Sequence, residues 1–178
     1  MKLTRHIFLT GFMGSGKSTA GKALAPLLKT RCIDLDEYLE KKEGRTIPEI
    51  FESEGEAKFR ELEKTYLHEL IKLKDPHIIS LGGGTVCFFD NLEKIKEKGI
   101  IIYIDVPVEV LAARIKESNS TRPLLKELSQ EELIKNIEEI LSVRKKFYEQ
   151  AHLTVNGLIL TPQLLKQKIG AFSENTSH

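Results

Sequence analysis

Tryptophan is absent from this 178-residue chain and cysteine occurs twice, so no disulfide framework or cysteine-rich metal site organises it. Cys32 and Cys87 lie far apart and form no C-x-x-C pair, which reads as reduced thiols in or near the core of a cytoplasmic protein. An excess of one charge is also missing. The 27 basic and 26 acidic residues leave a net charge of +1, so no global field recruits nucleic acid and any anion must be gripped locally. Long hydrophobic runs are lacking as well. The apolar stretch behind Lys2 and Arg5 stops at Gly11, too short for the apolar region of an export signal. No other run nears membrane-spanning length, so neither export nor a membrane partner is expected. Internal repeats and low-complexity segments are absent too. What remains is 40% hydrophobic and 30% charged, the composition of an ordinary globular protein, read here as a single domain over 1–178.

Short β-branched runs recur at 6–10 (HIFLT), 32–35 (CIDL), 77–81 (HIISL), 100–106 (IIIYIDV) and 152–156 (HLTVN), and read as five buried strands. Helix-compatible segments fall between them at about 17–29, 36–43, 48–73, 90–98, 107–117 and 129–150, with a last one at 162–171. That alternation predicts an α/β fold, a central five-stranded parallel sheet with helices on both faces and ligands at the carboxyl ends of the strands. The stretch ESNSTRPLLKELS breaks the pattern with small polar residues and Pro123, and predicts a mobile lid over about 117–128.

Directly after the first strand comes GFMGSGKST, in which Gly11, Gly16, Lys17 and Ser18 meet the pattern G-x-x-x-x-G-K-[ST]. Glycines bring backbone N–H groups close to an anion at the N-terminus of the next helix. The segment Gly14, Ser15, Gly16, Lys17, Ser18 and Thr19 therefore reads as the cradle of a nucleoside triphosphate. Lys17 can reach its β- and γ-phosphates, and Ser18 can offer its hydroxyl to Mg²⁺. A dinucleotide fingerprint is excluded, because its third glycine would fall at Thr19.

Other candidates stand at the ends of the remaining strands. Asp34 and Asp36, two apart on an extended chain, would share one side, one near Mg²⁺ with Ser18 and the other on an attacking hydroxyl. Alternatively Asp36 caps a helix starting near Glu37 while Asp34 is solvated. Asp105, ending a hydrophobic strand, is a second candidate metal carboxylate in the manner of a Walker B aspartate, or else a helix cap before Pro107. In GEAKFRELEKTYLHELIK, Phe59, Leu62, Tyr66, Leu70 and Leu73 form an apolar stripe. Arg60 stands beside it between Glu56 and Glu63, either poised for an anionic substrate group or paired on an exposed helix face. Gly82, Gly83 and Gly84 permit ligand approach after the third strand, or simply a tight turn. Arg144 shares a helix face with Leu133, Ile137, Ile140, Leu141, Phe147 and Tyr148, so it needs a partner or a ligand unless it snorkels. Arg122 can clamp the transferring phosphate from the lid, and Arg114 can lie against the nucleotide base.

Together GFMGSGKS, DLDEYLE, IPEIFESEGEAKFRELE, LGGGTV, TRPLL and RKKFYEQA resemble the shikimate kinase family in order and approximate spacing over most of the chain. The resemblance implies a three-layer P-loop NTPase fold like that of nucleoside monophosphate kinases, and transfer of the γ-phosphoryl of ATP to the 3-hydroxyl of shikimate. It implies that Asp36 contacts that hydroxyl as general base, that Arg60 and Arg144 bind the carboxylate, and that Glu63 holds Arg60. Gly82 and Gly83 would line the ring, Lys17 and Arg122 stabilise phosphate, Ser18 and Asp34 serve Mg²⁺, and Arg114 stacks on adenine. His152 departs from the pattern, standing where the family usually has an acid. A monomer acting on small molecules alone is the expected state. Rival readings are a kinase for gluconate or for a nucleoside monophosphate, or a nucleotide-dependent switch with no acceptor.

Overall fold

The computed structural model describes residues 3–118 and 127–175. Five strands, β1 (His6–Thr10), β2 (Cys32–Asp34), β3 (Ile78–Ser80), β4 (Gly99–Asp105) and β5 (Leu153–Asn156), form one sheet in the order β2-β3-β1-β4-β5. Every pairing is parallel, with Phe8 beside Ile79 on one side and Ile101 on the other. Around them run α1 (Lys17–Leu24), α2 (Leu35–Glu43), α3 (Ile47–Leu70), α4 (Asn91–Lys98), α5 (Val108–Glu117), α6 (Gln130–Tyr148) and α7 (Pro162–Asn175). The first helix is shorter than expected because Pro26, lacking an N–H, opens a separate turn of 3₁₀ helix at Pro26–Leu28.

Strand side chains alternate between two cores, as a sheet covered on both faces requires. Ile7, Leu9, Ile78, Ile100, Ile102 and Ile104 pack with α1, α5, α7 and the first half of α6. Phe8, Ile79, Ile101 and Tyr103 pack with α3, α4 and Tyr148 at the end of α6. Leu141 touches both cores, so α6 passes from one to the other with Arg144 between them. A third, smaller cluster of Leu39, Ile50 and Phe59 joins α2 to α3 away from the sheet.

Helix α3 starts with a reciprocal cap between Thr46 and Glu49, and it bends at Gly55, where φ is 78° and ψ 176°. The buried line of its second half is Phe59, Arg60, Glu63, Leu67 and Leu70. This corrects the expected stripe: Leu62 and Tyr66 are only half-buried, and Leu73 lies beyond the helix, 39% exposed. The face that turns inward is partly charged, so hydrophobicity alone misjudged its rotation. Among the described residues no helix is long and apolar enough to cross a membrane.

Candidate active site

The loop between β1 and α1 is shaped by backbone conformations that side chains resist: φ is 142° at Gly11, 77° at Gly14 and 91° at Gly16. Gly16 is the N-cap of α1 and offers no side chain to the first turn, which also lacks an acid. The N-terminal N–H groups of α1 are thus left to an anion. Gly14, Gly16 and Thr19 are exposed, whereas Ser15 and Lys17 are buried. The Lys17 ammonium folds over the loop and donates to the carbonyls of Gly11 and Phe12, 2.9 Å each. Arg114 of α5 donates from Nη1 to the Gly14 carbonyl at 3.1 Å, so it flanks this loop.

Ser18 Oγ donates to Asp34 Oδ2 and lies 3.3 Å from Ser80 Oγ. The other oxygen of Asp34, Oδ1, accepts from the backbone of Asp36 at 3.0 Å and of Glu37 at 3.2 Å. Asp34 is therefore the cap of α2, and Asp36 lies in its first turn. Two aspartates side by side on an extended strand is thus not the arrangement, nor is Asp36 as the cap. The chain turns helical between them because Asp34 satisfies the first N–H groups. Asp105 neither caps α5 nor meets Ser18; it accepts from Tyr103 at 2.8 Å. Among the described residues no three acids, histidines or cysteines cluster for a metal. A hydroxyl and a carboxylate side by side do fit Mg²⁺, which keeps waters and takes phosphate oxygens rather than an all-protein cage.

The turn Gly82 to Gly84 gathers the remaining groups. A β-carbon built on Gly82 would fall 2.7 Å from Glu63 Oε1 and 2.9 Å from Asp36 Oδ1; one on Gly83, 3.3 Å from the Met13 nitrogen and 3.6 Å from Arg144 Nη1. On Gly84 it would meet Arg60 Nη2 at 2.7 Å and Nη1 at 2.9 Å. Glycine is needed here for closeness. These three residues bring Asp36, Arg60, Arg144 and the phosphate loop to one crevice at the carboxyl edge of the sheet.

Arg60 is held on several sides. Nη1 donates to buried Glu63 Oε2 at 2.8 Å, while Nε and Nη2 reach Glu56 Oε1 at 3.2 and 3.1 Å. Its guanidinium lies over the rings of Phe59 and Phe88, 4.9 and 4.2 Å from their centroids. Exposed pairing, the bland reading of Arg60, is thus wrong: the residue is 7% exposed and Glu63 0%. Glu56 supplies an exposed partner, worth little on its own.

Several shaping residues escaped sequence reasoning. The Thr85 hydroxyl donates to Glu63 Oε1 at 2.7 Å. Tyr148 donates to the Gly83 carbonyl, its ring stacked on Tyr103 with centroids 5.2 Å apart. Burial pushes the Tyr148 phenol well above its ordinary range against the opposing pull of Arg144, so it stays a donor. Its spacing of four from Arg144 was the available signal. Cys32 and Cys87 are unpaired and half-buried, and burial pushes the Cys32 thiol up to about 11. His152 accepts from the Ile101 N–H at 2.9 Å, a structural task at the start of β4. Arg122 lies outside the described residues, as does most of the expected lid.

A phosphate loop on a five-stranded parallel sheet, faced by a carboxylate and two arginines, defines a small-molecule kinase of the P-loop class. The family model for shikimate kinase matches residues 13–171, and the chain belongs to the shikimate kinase family. A shikimate kinase of Bacteroides fragilis is 46% identical over 147 residues, 83% of this chain and 82% of the relative. One from Parabacteroides distasonis is 45% identical over 153 residues, 86% and 88% of the two chains. A crystal structure of shikimate kinase from Bacteroides thetaiotaomicron superposes with a TM-score of 0.85 at 36% identity, covering 98% of this chain and 99% of that one. The Acinetobacter baumannii enzyme in complex with shikimate gives 0.84 at 35%, over 97% and 94%. A gluconokinase from Sinorhizobium meliloti, at 15% identity and 0.58 over 98% and 94%, shares the fold alone.

Proposed function

We propose that this chain, as a shikimate kinase, transfers the γ-phosphoryl of ATP to the 3-hydroxyl of shikimate in the crevice between the phosphate loop and the Gly82 to Gly84 turn. The observation that carries the assignment of residues is the convergence of Asp36, Arg60 and Arg144 on three consecutive glycines that also touch the phosphate loop. The N–H groups from Gly14 to Thr19 hold the phosphates, with Lys17 moving its donors from loop carbonyls to phosphate oxygens. Ser18 and Asp34 would hold Mg²⁺, which spreads the charge of the phosphate oxygens when bound. Arg114 flanks the base side. Arg122, by its sequence position beside Pro123, supplies a cation to the γ-phosphoryl.

On the acceptor side, Arg60 and Arg144 pair with the carboxylate, and Gly82 and Gly83 let the ring approach the backbone. Asp36 accepts the hydrogen bond of the 3-hydroxyl. As oxygen bonds to phosphorus and the bond to ADP breaks, it takes the proton. A neutral polyol acceptor would leave two fixed guanidinium groups without a counter-charge. The half-buried, unpaired thiols support a cytoplasmic location.

Coupled ADP release measured with shikimate, gluconate and AMP as acceptors tests the reading; shikimate alone should stimulate it. Asp36→Asn should keep ATP binding and lose about 10²- to 10⁴-fold in turnover, the usual worth of a positioned base. Undiminished turnover would refute the role given to Asp36.

A further inference from the structure

Glu63 is a carboxylate with no exposure to water, and each of its oxygens is satisfied by a different residue. Oε2 accepts from Arg60 Nη1 at 2.8 Å, and Oε1 accepts from the Thr85 hydroxyl at 2.7 Å. Thr85 is itself wholly buried and fixed from behind. Its carbonyl accepts from Asn91 Nδ2 at 2.9 Å, and its N–H donates to the Gly82 carbonyl at 3.2 Å. Asn91 opens α4 and is also fully buried, so the hydroxyl is anchored to a helix rather than to a loose turn.

We infer that Thr85 is a positioning residue for the acceptor's carboxylate, acting through Glu63 on Arg60. The reasoning rests on the reading above that Arg60 grips that carboxylate. A terminal carboxylate torsion is soft, so one anchored oxygen leaves the group free to turn. With both oxygens anchored, the plane of Glu63 is set and so is the direction in which it holds the guanidinium. Phe59 and Phe88 restrain Arg60 at its rings and Gly84 makes room for it, but neither fixes rotation within the guanidinium plane. Glu56 restrains that plane from the solvent side through Nε and Nη2, but its side chain is 56% exposed. The buried anchor in the plane is Glu63 on Nη1, and Thr85 aims it. Glu63 Oε1, Asp36 Oδ1 and Thr85 Oγ1 all border the space beside Gly82, so the Thr85 hydroxyl stands where the two carboxylates approach each other.

The experiment compares Thr85→Val, which keeps the shape and removes the donor, with Thr85→Ser, which keeps the donor. Steady-state kinetics are run with shikimate and ATP varied separately, and thermal midpoints are recorded. Thr85→Val should raise the KM for shikimate about 10-fold or more, with kcat within about threefold and the KM for ATP unchanged, because misaligning a bidentate grip weakens binding of one substrate only. Thr85→Ser should restore the wild-type KM within about threefold. If valine at this buried place prevents folding, Thr85→Ala against Thr85→Ser gives the same contrast. An unchanged KM for shikimate in the donor-less variants overturns the inference, as does an equal fall in the efficiency toward both substrates or failure of serine to rescue. A wild-type enzyme with no shikimate-dependent ADP release would instead sink the acceptor assignment itself, so the two failures are told apart.

Discussion

Replacing Gly84 by alanine puts one methyl group where the structure has the guanidinium of Arg60. The added carbon would lie 2.7 Å from Nη2, 2.9 Å from Nη1 and 3.0 Å from Cζ. Ordinary contact needs about 3.5 Å, so the guanidinium must retreat by roughly 0.5–1 Å. The backbone itself is open to alanine: φ is −106° and ψ −8° at Gly84, a negative-φ conformation that turn residues with side chains adopt. All the strain therefore falls on Arg60, which is held by Glu63 on one edge and faced by Phe88. A charge-assisted hydrogen bond lost or bent costs about 1.5–3 kcal/mol, which corresponds to roughly 10- to 150-fold in affinity. The expected result for Gly84→Ala is a KM for shikimate raised within that range, an unchanged KM for ATP and a lowered thermal midpoint, because the same displacement strains the buried Arg60–Glu63 pair in the free enzyme. Initial rates with each substrate varied in turn, together with a melting curve, measure all three. A variant with wild-type KM for shikimate would show that Arg60 does not bind the acceptor, or that its position does not matter, and either defeats the reasoning.

Two further outcomes concern stability. Gly55→Ala should lose about 1–3 kcal/mol in urea unfolding, because φ 78° with ψ 176° is nearly closed to side chains while the added carbon meets nothing within 4 Å; a gain in stability, as in an ordinary helix, would mean the bend is dispensable. Burial and the neighbouring His77 hold His6 below its ordinary value of 6.5, and its Nδ1 accepts from the His77 N–H at 3.1 Å. The unfolded chain then takes up the proton first as pH falls, so stability is full above about pH 6.5 and declines below it until the folded imidazole also titrates. His68 and His152 shift in the same direction. Urea midpoints should drop between pH 7.5 and 5, and His6→Gln, which offers an acceptor that does not titrate, should show a shallower drop; an identical slope would remove His6 from the account.

The features legible along the chain were those made by neighbours in sequence. Residues 11–19 carry their own turn geometry and helix start, so the phosphate loop needs no distant partner to be recognised. The β-branched runs place all five strands within a residue or two, but the expectation of five buried strands holds only for the central β1, β3 and β4; β2 and β5, at the sheet's edges, are partly exposed. Asp36, Arg60, Arg144 and the three glycines were visible as candidates, but their surroundings were not. Helical periodicity fixed the face of α3 wrongly by about one residue, because Arg60 and Glu63 turn inward against the expectation that buried faces are apolar.

By itself, then, the amino-acid order determined the kind of fold, the anion loop and the family, because propensity, periodicity and short motifs are local properties that survive without knowledge of contacts. Only the folded chain decided that Thr85, 22 positions from Glu63, orients it, that Tyr148, 65 positions from Gly83, ties down its carbonyl, and that Asp34 rather than Asp36 caps α2. A buried charge gains its partners through the packing of distant elements, where water is excluded and each missing hydrogen bond becomes costly, and no pattern along one segment encodes which element will arrive.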